Sequence, residues 1–113
     1  MTAAAFRRIA LGMADAVEGA HMGHPDFRAG VGGRIFATLH PGGKAGMVKL
    51  TPEQQREFLD VHPAVFEPES GAWGRQGCTR VLLASADSDV VGEAMTLAWQ
   101  AANTPAKPRA RKK

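Results

Sequence analysis

The stretch RIFATLHPGGKAGMVKLTPEQQREFL, residues 34–59, decides the fold. Two short apolar runs, 34–40 and 44–50, are separated by a proline and two glycines, which is the pattern of two strands joined by a turn. Thr51 then offers a capping hydroxyl, Pro52 suits the first helical position, and Gln54 completes a capping box. The sequence therefore predicts an antiparallel pair of strands that leads into a helix.

The residues before this stretch extend the pattern toward the N-terminus. Residues 27–31 form another apolar run, and the two glycines at 32–33 predict a tight hairpin turn, because both central positions of such a turn favour positive φ. Residues 3–16 carry apolar side chains at three- and four-residue steps, which predicts a helix capped by Thr2. Alternation along the middle strand predicts two faces, with Ile35, Ala37 and Leu39 on one and Arg34, Phe36 and Thr38 on the other.

Toward the C-terminus, the second helix is expected to end at His62-Pro63, and a glycine-rich loop leads to a strand over 79–84. The glycines of that loop, SGAWGRQG over 70–77, should allow a tight approach to the strand, with Trp73 covering the core edge. A third helix is predicted over 87–102. The order α-β-β-β-α-β-(β)-α predicts an α+β domain of two layers, an antiparallel sheet with three helices.

Charge divides the 113 residues into one predicted domain, 1–103, and a tail, 104–113. The tail TPAKPRARKK holds five of the 14 basic residues and no acid, so nine basic and 11 acidic side chains leave residues 1–103 with a net charge of −2. Because the tail has two prolines and no large apolar residue, we expect it to be disordered.

Cysteine content and the N-terminal sequence bear on the location of the chain. The single cysteine, Cys78, rules out a disulfide within the chain and suits a reducing cytoplasm. The N-terminal residues MTAAAFRRIALGMADA include arginines among the apolar residues, which is typical neither of a signal peptide nor of a membrane span. A cytoplasmic protein without a membrane partner is expected.

Motifs for catalysis, cofactors and metals are weak in this sequence. The glycines of residues 70–77 fit neither a P-loop nor a dinucleotide fingerprint, since no lysine occurs between Lys49 and Lys107 and the glycines precede a strand. His21 and His24 lie close to Asp26 in a turn, but two histidines with one acid fall short of a convergent zinc set. Nothing near Cys78 marks it as an activated nucleophile. No cofactor, no metal and no enzymatic activity are predicted.

Basic residues in the predicted strands and loops favour binding of nucleic acid. Residues 27–50 and 71–86 contain arginines and lysines but no acid. If these side chains share one face of the sheet, they could neutralise phosphates while a tryptophan stacks on a base. The predicted contact residues are Arg28, Arg34, Lys49, Trp73, Arg75 and Arg80.

Three stretches together resemble the MmcQ/YjbR-like proteins over nearly all of residues 3–102: HMGHPDFRAGVGGRIFATL, MVKLTPEQQREFL and WGRQGCTRVLL, followed by a helix that ends LAWQAA. The matched positions are His21, Gly23, Pro25, Phe27, Arg28, Phe36, Trp73, Gly74, Gly77 and Trp99. The resemblance implies a two-layer α+β domain similar to secretion-chaperone-like folds. It also implies a largely uncharacterised bacterial family with a proposed role in DNA binding.

Weak binding of nucleic acid through the basic sheet face and tail is therefore the leading functional prediction. The alternative is a non-enzymatic adaptor that docks a protein partner through the sheet face or the Trp73 loop. A third interpretation is a small-ligand pocket between His21, Arg28 and Trp73. The sequence leaves the oligomeric state open.

Overall fold

The computed structural model describes residues 1–103, and the predicted basic tail, 104–113, lies outside the described residues. The chain forms an α+β structure with one six-stranded antiparallel sheet, which confirms the predicted fold class. The elements in chain order are α1 (Ala3–Leu11), β1 (Val17–His21), β2 (His24–Arg28), β3 (Ile35–Leu39), β4 (Ala45–Lys49), α2 (Pro52–Val61), β5 (Phe66–Pro68), α3 (Gly71–Arg75), β6 (Cys78–Leu82) and α4 (Ser88–Asn103).

The sheet has the strand order β1-β2-β3-β4-β6-β5, and the helices α1 and α4 pack together across one face. Helix α2 packs beside β5 at the edge of the sheet, where the ring of Phe58 meets that of Phe66 at a centroid distance of 5.2 Å. The core between these layers is apolar and dominated by aromatic side chains, with Phe6, Phe27, Phe36 and Phe66 at most 1% exposed. Such a core supplies most of the free energy that holds the layers together.

The central stretch folds as its sequence predicts. Strands β3 and β4 pair antiparallel, and each is one residue shorter at both ends than the predicted range. The hydroxyl of Thr51 accepts a hydrogen bond from the backbone N–H of Gln54, while the Gln54 side chain accepts one from the Thr51 N–H. This reciprocal capping box satisfies two N–H groups that the first helical turn would otherwise leave unpaired.

The N-terminal part of the sheet differs from the prediction. Helix α1 ends at Leu11 rather than at residue 16, and the strand β1 follows, which the sequence analysis missed. Strand β1 joins β2 through Met22 and Gly23, whose φ angles of 51° and 84° are those of a tight hairpin turn. Of the periodic apolar residues after Leu11, Met13 lies in the turn between α1 and β1, and Val17 begins β1. The helical pattern was therefore extended too far.

The hairpin between β2 and β3 is present, but its predicted two-residue turn at 32–33 is wrong. The loop is longer, and the N–H of Ala29 donates to the carbonyl of Arg34 at 3.0 Å to close it. The positive φ angles fall on Gly30 and Gly32, at 97° and 74°. Because Gly33 keeps a negative φ, the glycine pair does not form the primed turn that its sequence favours.

A β-bulge corrects the predicted faces of β3. Phe27 pairs with Ala37 and the next residue, Arg28, pairs with Ile35, which leaves Phe36 without a partner. An extra residue of this kind breaks the two-residue alternation. Phe36 consequently lies fully buried in the core together with Ala37, instead of on the opposite face.

The face of the sheet not covered by α1 and α4, here called the second face, carries a row of polar side chains. The ring of Phe6 lies against Gly46, 2.6 Å from the position that a Cβ atom would take, so Gly46 faces α1. Its neighbour Met47 therefore faces the other way. Since directly paired residues share a face, the register places Asp26, Thr38, Met47, Arg80 and Glu67 in one row on the second face.

Candidate functional site

A buried carboxylate organises one end of the second face. Asp26 on β2 is 0% exposed and accepts hydrogen bonds from Arg28 Nε at 2.8 Å and Arg28 Nη2 at 3.1 Å. Its oxygen Oδ2 also lies 2.7 Å from His21 Nδ1 on the neighbouring strand β1. The hydrogen bonds from Arg28 outweigh burial and hold the pKa of Asp26 below its ordinary value. The pKa of Arg28 is raised by the same pairing.

A second cluster of the same composition stands around Glu69, just after β5. Glu69 accepts a hydrogen bond from Arg80 Nη2 at 3.1 Å, and its other oxygen lies 2.6 Å from His40 Nε2. Arg80 also donates to Glu67 at 3.2 Å. The sheet therefore carries two separate clusters, and in each of them one carboxylate contacts both an arginine and a histidine.

The two clusters contain two of the predicted contact residues, Arg28 and Arg80, in ion pairs. Arg28 and Arg80 are both bonded to carboxylates, so much of their positive charge is compensated within the protein. The acid-free sequence windows stop just short of the partners: Asp26 precedes the first window, and Glu67 and Glu69 precede the second. Contact of Arg28 and Arg80 with phosphates stays a prediction. Their ion pairs reduce the positive charge that either side chain could offer to a phosphate.

Four of the six predicted residues converge on one groove of about 620 Å³. We call it the basic groove, and its lining includes Arg28, Arg34, Lys49, Trp73, Gln76 and Ala101. No acidic side chain of residues 1–103 lines it. Lys49 at the end of β4 has no ion-pair partner within the same part of the chain. The groove therefore combines the positive charge of Lys49, which has no ion-pair partner in residues 1–103, with an aromatic surface.

Helix α3 presents Trp73 to this groove, which corrects the expectation that Trp73 covers the core edge. The indole is 63% exposed, while the next residue, Gly74, is buried against the backbone of Glu69. The buried amide of Gln55 donates to the carbonyl of Gly74 at 3.0 Å and so ties α3 to α2. Trp73 is thus held in place by its backbone although its side chain packs against little.

The other two predicted contacts lie apart from the basic groove. Arg75 is the last residue of α3 and is exposed, but it does not line the groove. Arg80 points along the second face toward Glu67 and Glu69. The structure therefore brings together Arg28, Arg34, Lys49 and Trp73, and separates Arg75 and Arg80 from them.

A smaller groove of about 260 Å³ lies beside the basic groove and shares Trp73 and Cys78 with it. We call it the histidine groove, because its lining includes His21, His24 and His40, together with Glu69 and Ser70. His21 and His24 are neighbours in the sequence, whereas the pairing of His40 with Glu69 was not predicted, and Glu69 was expected to be solvated. Their hydrogen bond spans 29 positions of the chain, so only the register of the sheet could have revealed it. In residues 1–103, no three His, Cys, Asp or Glu side chains converge as a metal site.

Cys78 is expected to react slowly with thiol reagents, although it borders both grooves. The side chain is 6% exposed, and burial raises its pKa above the ordinary value of 9.0. Because the thiolate is the reactive form, alkylation by iodoacetamide at pH 8 should be at least about tenfold slower in the native protein than in urea. Equal rates in both states, followed by mass spectrometry, would contradict this burial.

Comparison with known proteins supports the fold. No family model and no curated protein sequence matches the chain. Among solved structures, the chain is similar to protein DR2400 of Deinococcus radiodurans, which carries the domain DUF419, the MmcQ/YjbR-like family. The TM-score is 0.74 at 16% identity, over 92% of this chain and 80% of that chain. The two proteins share a fold. At 16% identity the structural similarity shows the fold and not the function, since one fold serves many functions.

No helix within residues 1–103 has the length and apolar character needed to span a bilayer.

Proposed function

We propose that this chain binds single-stranded nucleic acid in the basic groove. The observation that carries the proposal is the convergence of Lys49, Arg34 and an exposed Trp73 on one concave surface without a lining carboxylate. Proteins that bind single strands combine a positively charged groove, which follows the phosphates, with aromatic side chains on which the bases stack. An indole that is 63% exposed offers such a stacking surface.

The sequence that follows helix α4 adds to this proposal. Helix α4 lines the basic groove near its C-terminal end, with Ala98 and Ala101, and it ends at Asn103. In the sequence, residues 104–113 with their five basic side chains come after this helix. Their charge would strengthen phosphate binding in a sequence-independent and salt-sensitive manner.

Family and cellular setting form part of the same proposal. The shared fold with a DUF419 protein and the sequence resemblance over residues 3–102 support membership of the MmcQ/YjbR-like family. We propose a non-enzymatic role in the cytoplasm, in which the chain holds nucleic acid without altering it.

Substitution of Trp73 and Lys49 should weaken binding in two different ways. Trp73→Ala is expected to reduce affinity for a labelled oligothymidylate by about 5- to 150-fold, because a stacked base contributes about 1–3 kcal/mol. Lys49→Gln should reduce affinity less, but it should flatten the plot of log affinity against log salt by about 0.7, the value of one lost phosphate contact on a single strand. Fluorescence anisotropy over a salt series measures both effects.

Lys44→Gln is the matched control for Lys49→Gln. Lys44 lies just before β4 and Lys49 ends it, so the same charge is removed at the opposite end of one strand. The control should leave the affinity within about twofold and the salt slope nearly unchanged. Equal effects of the two lysine variants would mean that net charge, and not the basic groove, governs binding.

The adaptor alternative depends on the same exposed tryptophan. An apolar surface of this kind also fits a protein partner, since aromatic residues are common in the centres of interfaces. The two functions differ in their response to salt, because apolar docking is little affected by ionic strength. Binding of a partner that needs Trp73 and persists at high salt would favour the adaptor function.

A further inference from the structure

The histidine groove holds imidazole nitrogens that the protein itself does not use. Within residues 1–103, Nδ1 of His24 is buried and has no hydrogen-bond partner. The ring of His24 lies 4.7 Å from that of His21, centroid to centroid. His24 lines the groove, and a buried polar atom without a partner is costly, so this ring marks an interaction still to be completed.

The neighbouring carboxylates fix the orientation of the other two histidines. Asp26 binds Nδ1 of His21, which leaves Nε2 of that ring for another partner. Glu69 binds Nε2 of His40, which leaves Nδ1. An ionised carboxylate only accepts hydrogen bonds, so the bound ring nitrogen carries the proton in each case. The remaining nitrogen accepts when the ring is neutral and becomes a donor when the ring takes up a second proton.

Charges around the groove determine which ligand fits. The charged groups in the two clusters beside the histidines are the acids Asp26, Glu67 and Glu69 and the bases Arg28 and Arg80. Three acids and two bases leave a net charge of −1, and protonation of the three rings changes it to +2. Lys49 stands nearby, close to Cys78. The groove is therefore suited to an anion once its histidines are charged.

We propose that the histidine groove binds one phosphate group as a monoanion, and that it does so when its histidines are protonated. A phosphate offers several acceptor oxygens to donors that converge from different strands, and hydrogen bonds from an imidazolium to such oxygens are strong. The hydroxyl of Ser70 lies in the same lining as a further donor. This inference does not depend on nucleic-acid binding in the basic groove.

Dimethyl phosphate is the probe that tests this inference, because it keeps a single negative charge between pH 5.5 and pH 7.5. The full chain is titrated with it at constant ionic strength, and the ring 1H–13C signals of the histidines are followed by NMR. We expect saturable shifts of the His21, His24 and His40 signals, with an affinity at least about tenfold higher at pH 5.5 than at pH 7.5, because both nitrogens of a protonated imidazole are hydrogen-bond donors and the nitrogen not bound to a carboxylate can then donate to the anion. His62, which caps α2 outside the groove, should not shift.

Variants distinguish a site from general attraction. His24→Gln and His40→Gln should each weaken binding of dimethyl phosphate by about fivefold or more. His62→Gln, the matched control, should not change it. The inference is overturned if His62 shifts as much as the groove histidines, if the affinity is the same at both pH values, or if the two groove variants bind as the parent does.

Two further arms identify the source of the phosphate and separate this inference from the proposed function. In the first arm, inorganic phosphate replaces dimethyl phosphate at pH 5.5. Tighter binding of the diester would assign the groove to a nucleic-acid backbone. Tighter binding of inorganic phosphate would assign it to a free phosphate. Loss of oligothymidylate binding in Trp73→Ala with intact dimethyl phosphate binding would show that the two grooves act separately. Intact oligothymidylate binding without any response to dimethyl phosphate would reject the histidine site alone.

Discussion

Gly77→Ala is expected to lower the free energy of unfolding by about 4 kcal/mol or more, a large part of the roughly 5–15 kcal/mol that stabilises a typical domain. Gly77 has a φ of 109°, a conformation that side chains with a Cβ rarely adopt. A Cβ atom at this position would overlap the carbonyl of Leu50, in the backbone that links β4 to α2. The substitution would also displace the hydrogen bond from the Leu50 N–H to the Gly77 carbonyl, 3.2 Å long.

Two other glycines serve as controls for this effect. Gly42 also has a positive φ, 91°, but an added Cβ would meet no atom within 4 Å, so Gly42→Ala should cost only about 1–2 kcal/mol. Gly92 lies in α4 with similar space, and Gly92→Ala should stabilise the protein by about 0.5–1 kcal/mol. Urea unfolding followed by circular dichroism gives all three values. A Gly77→Ala midpoint equal to that of Gly42→Ala would contradict the packing described here.

Asp26→Asn should lower the free energy of unfolding at pH 7 by about 2–4 kcal/mol, and the loss should shrink in acid. The carboxylate is fully buried, and Arg28 and His21 depend on its charge for their hydrogen bonds. Its pKa in the folded state lies below the ordinary value of 3.8. The stabilisation is therefore fully present above about pH 4 and is lost as the pH falls through the folded pKa.

Glu18→Gln provides the comparison for Asp26→Asn. Glu18 pairs with Arg7 at 3.0 Å, but both side chains are about one third exposed or more, at 32% and 42%. An ion pair of this kind contributes about 0–1 kcal/mol, so the variant should stay close to the parent at every pH. Urea unfolding at pH 7, 5 and 3 tests both. A difference between Asp26→Asn and the parent that remains constant down to pH 3 would refute the role given to this carboxylate.

Local chemistry explains which parts of the fold could be predicted from the sequence. The capping box at Thr51 and Gln54, the strands on either side of residues 41–43 and the long helix α4 are set by neighbouring residues, and all are present. The bulge at Phe36 depends on the pairing of β2 with β3, and no pattern within one strand contains that information. Strand β1 was missed because the two glycines and the proline within residues 17–27 favour a turn by sequence alone.

The candidate site was predictable in composition but not in pairing. Arg28, Lys49 and Trp73 could be predicted by residue type, and the fold brings them to one groove. Arg80 was expected to be free because the nearest acids in sequence lie outside the window considered. Glu69 reaches Arg80 only because β5 and β6 pair at the sheet edge. Charge summed along a chain does not show which charges neutralise each other in the folded protein.

The two grooves meet at Trp73, which gives the proposed functions a common geometry. Trp73 and Cys78 line both grooves, so a base stacked on the indole would have phosphate-binding groups on either side. Lys49 lines one groove and the histidines line the other. A nucleic-acid strand that lies across α3 would then bind more tightly as the pH falls.

The emission of Trp73 tests the central claim, that nucleic acid binds in the basic groove, most directly. Trp99→Phe leaves Trp73 as the single tryptophan, and the phenyl ring retains most of the apolar contact at that position. Titration of this full-length variant with oligothymidylate should quench the emission saturably, with a salt slope of about −2 if three phosphates are neutralised. Binding detected by anisotropy while the Trp73 emission stays unchanged would place the nucleic acid elsewhere on the chain and contradict the account.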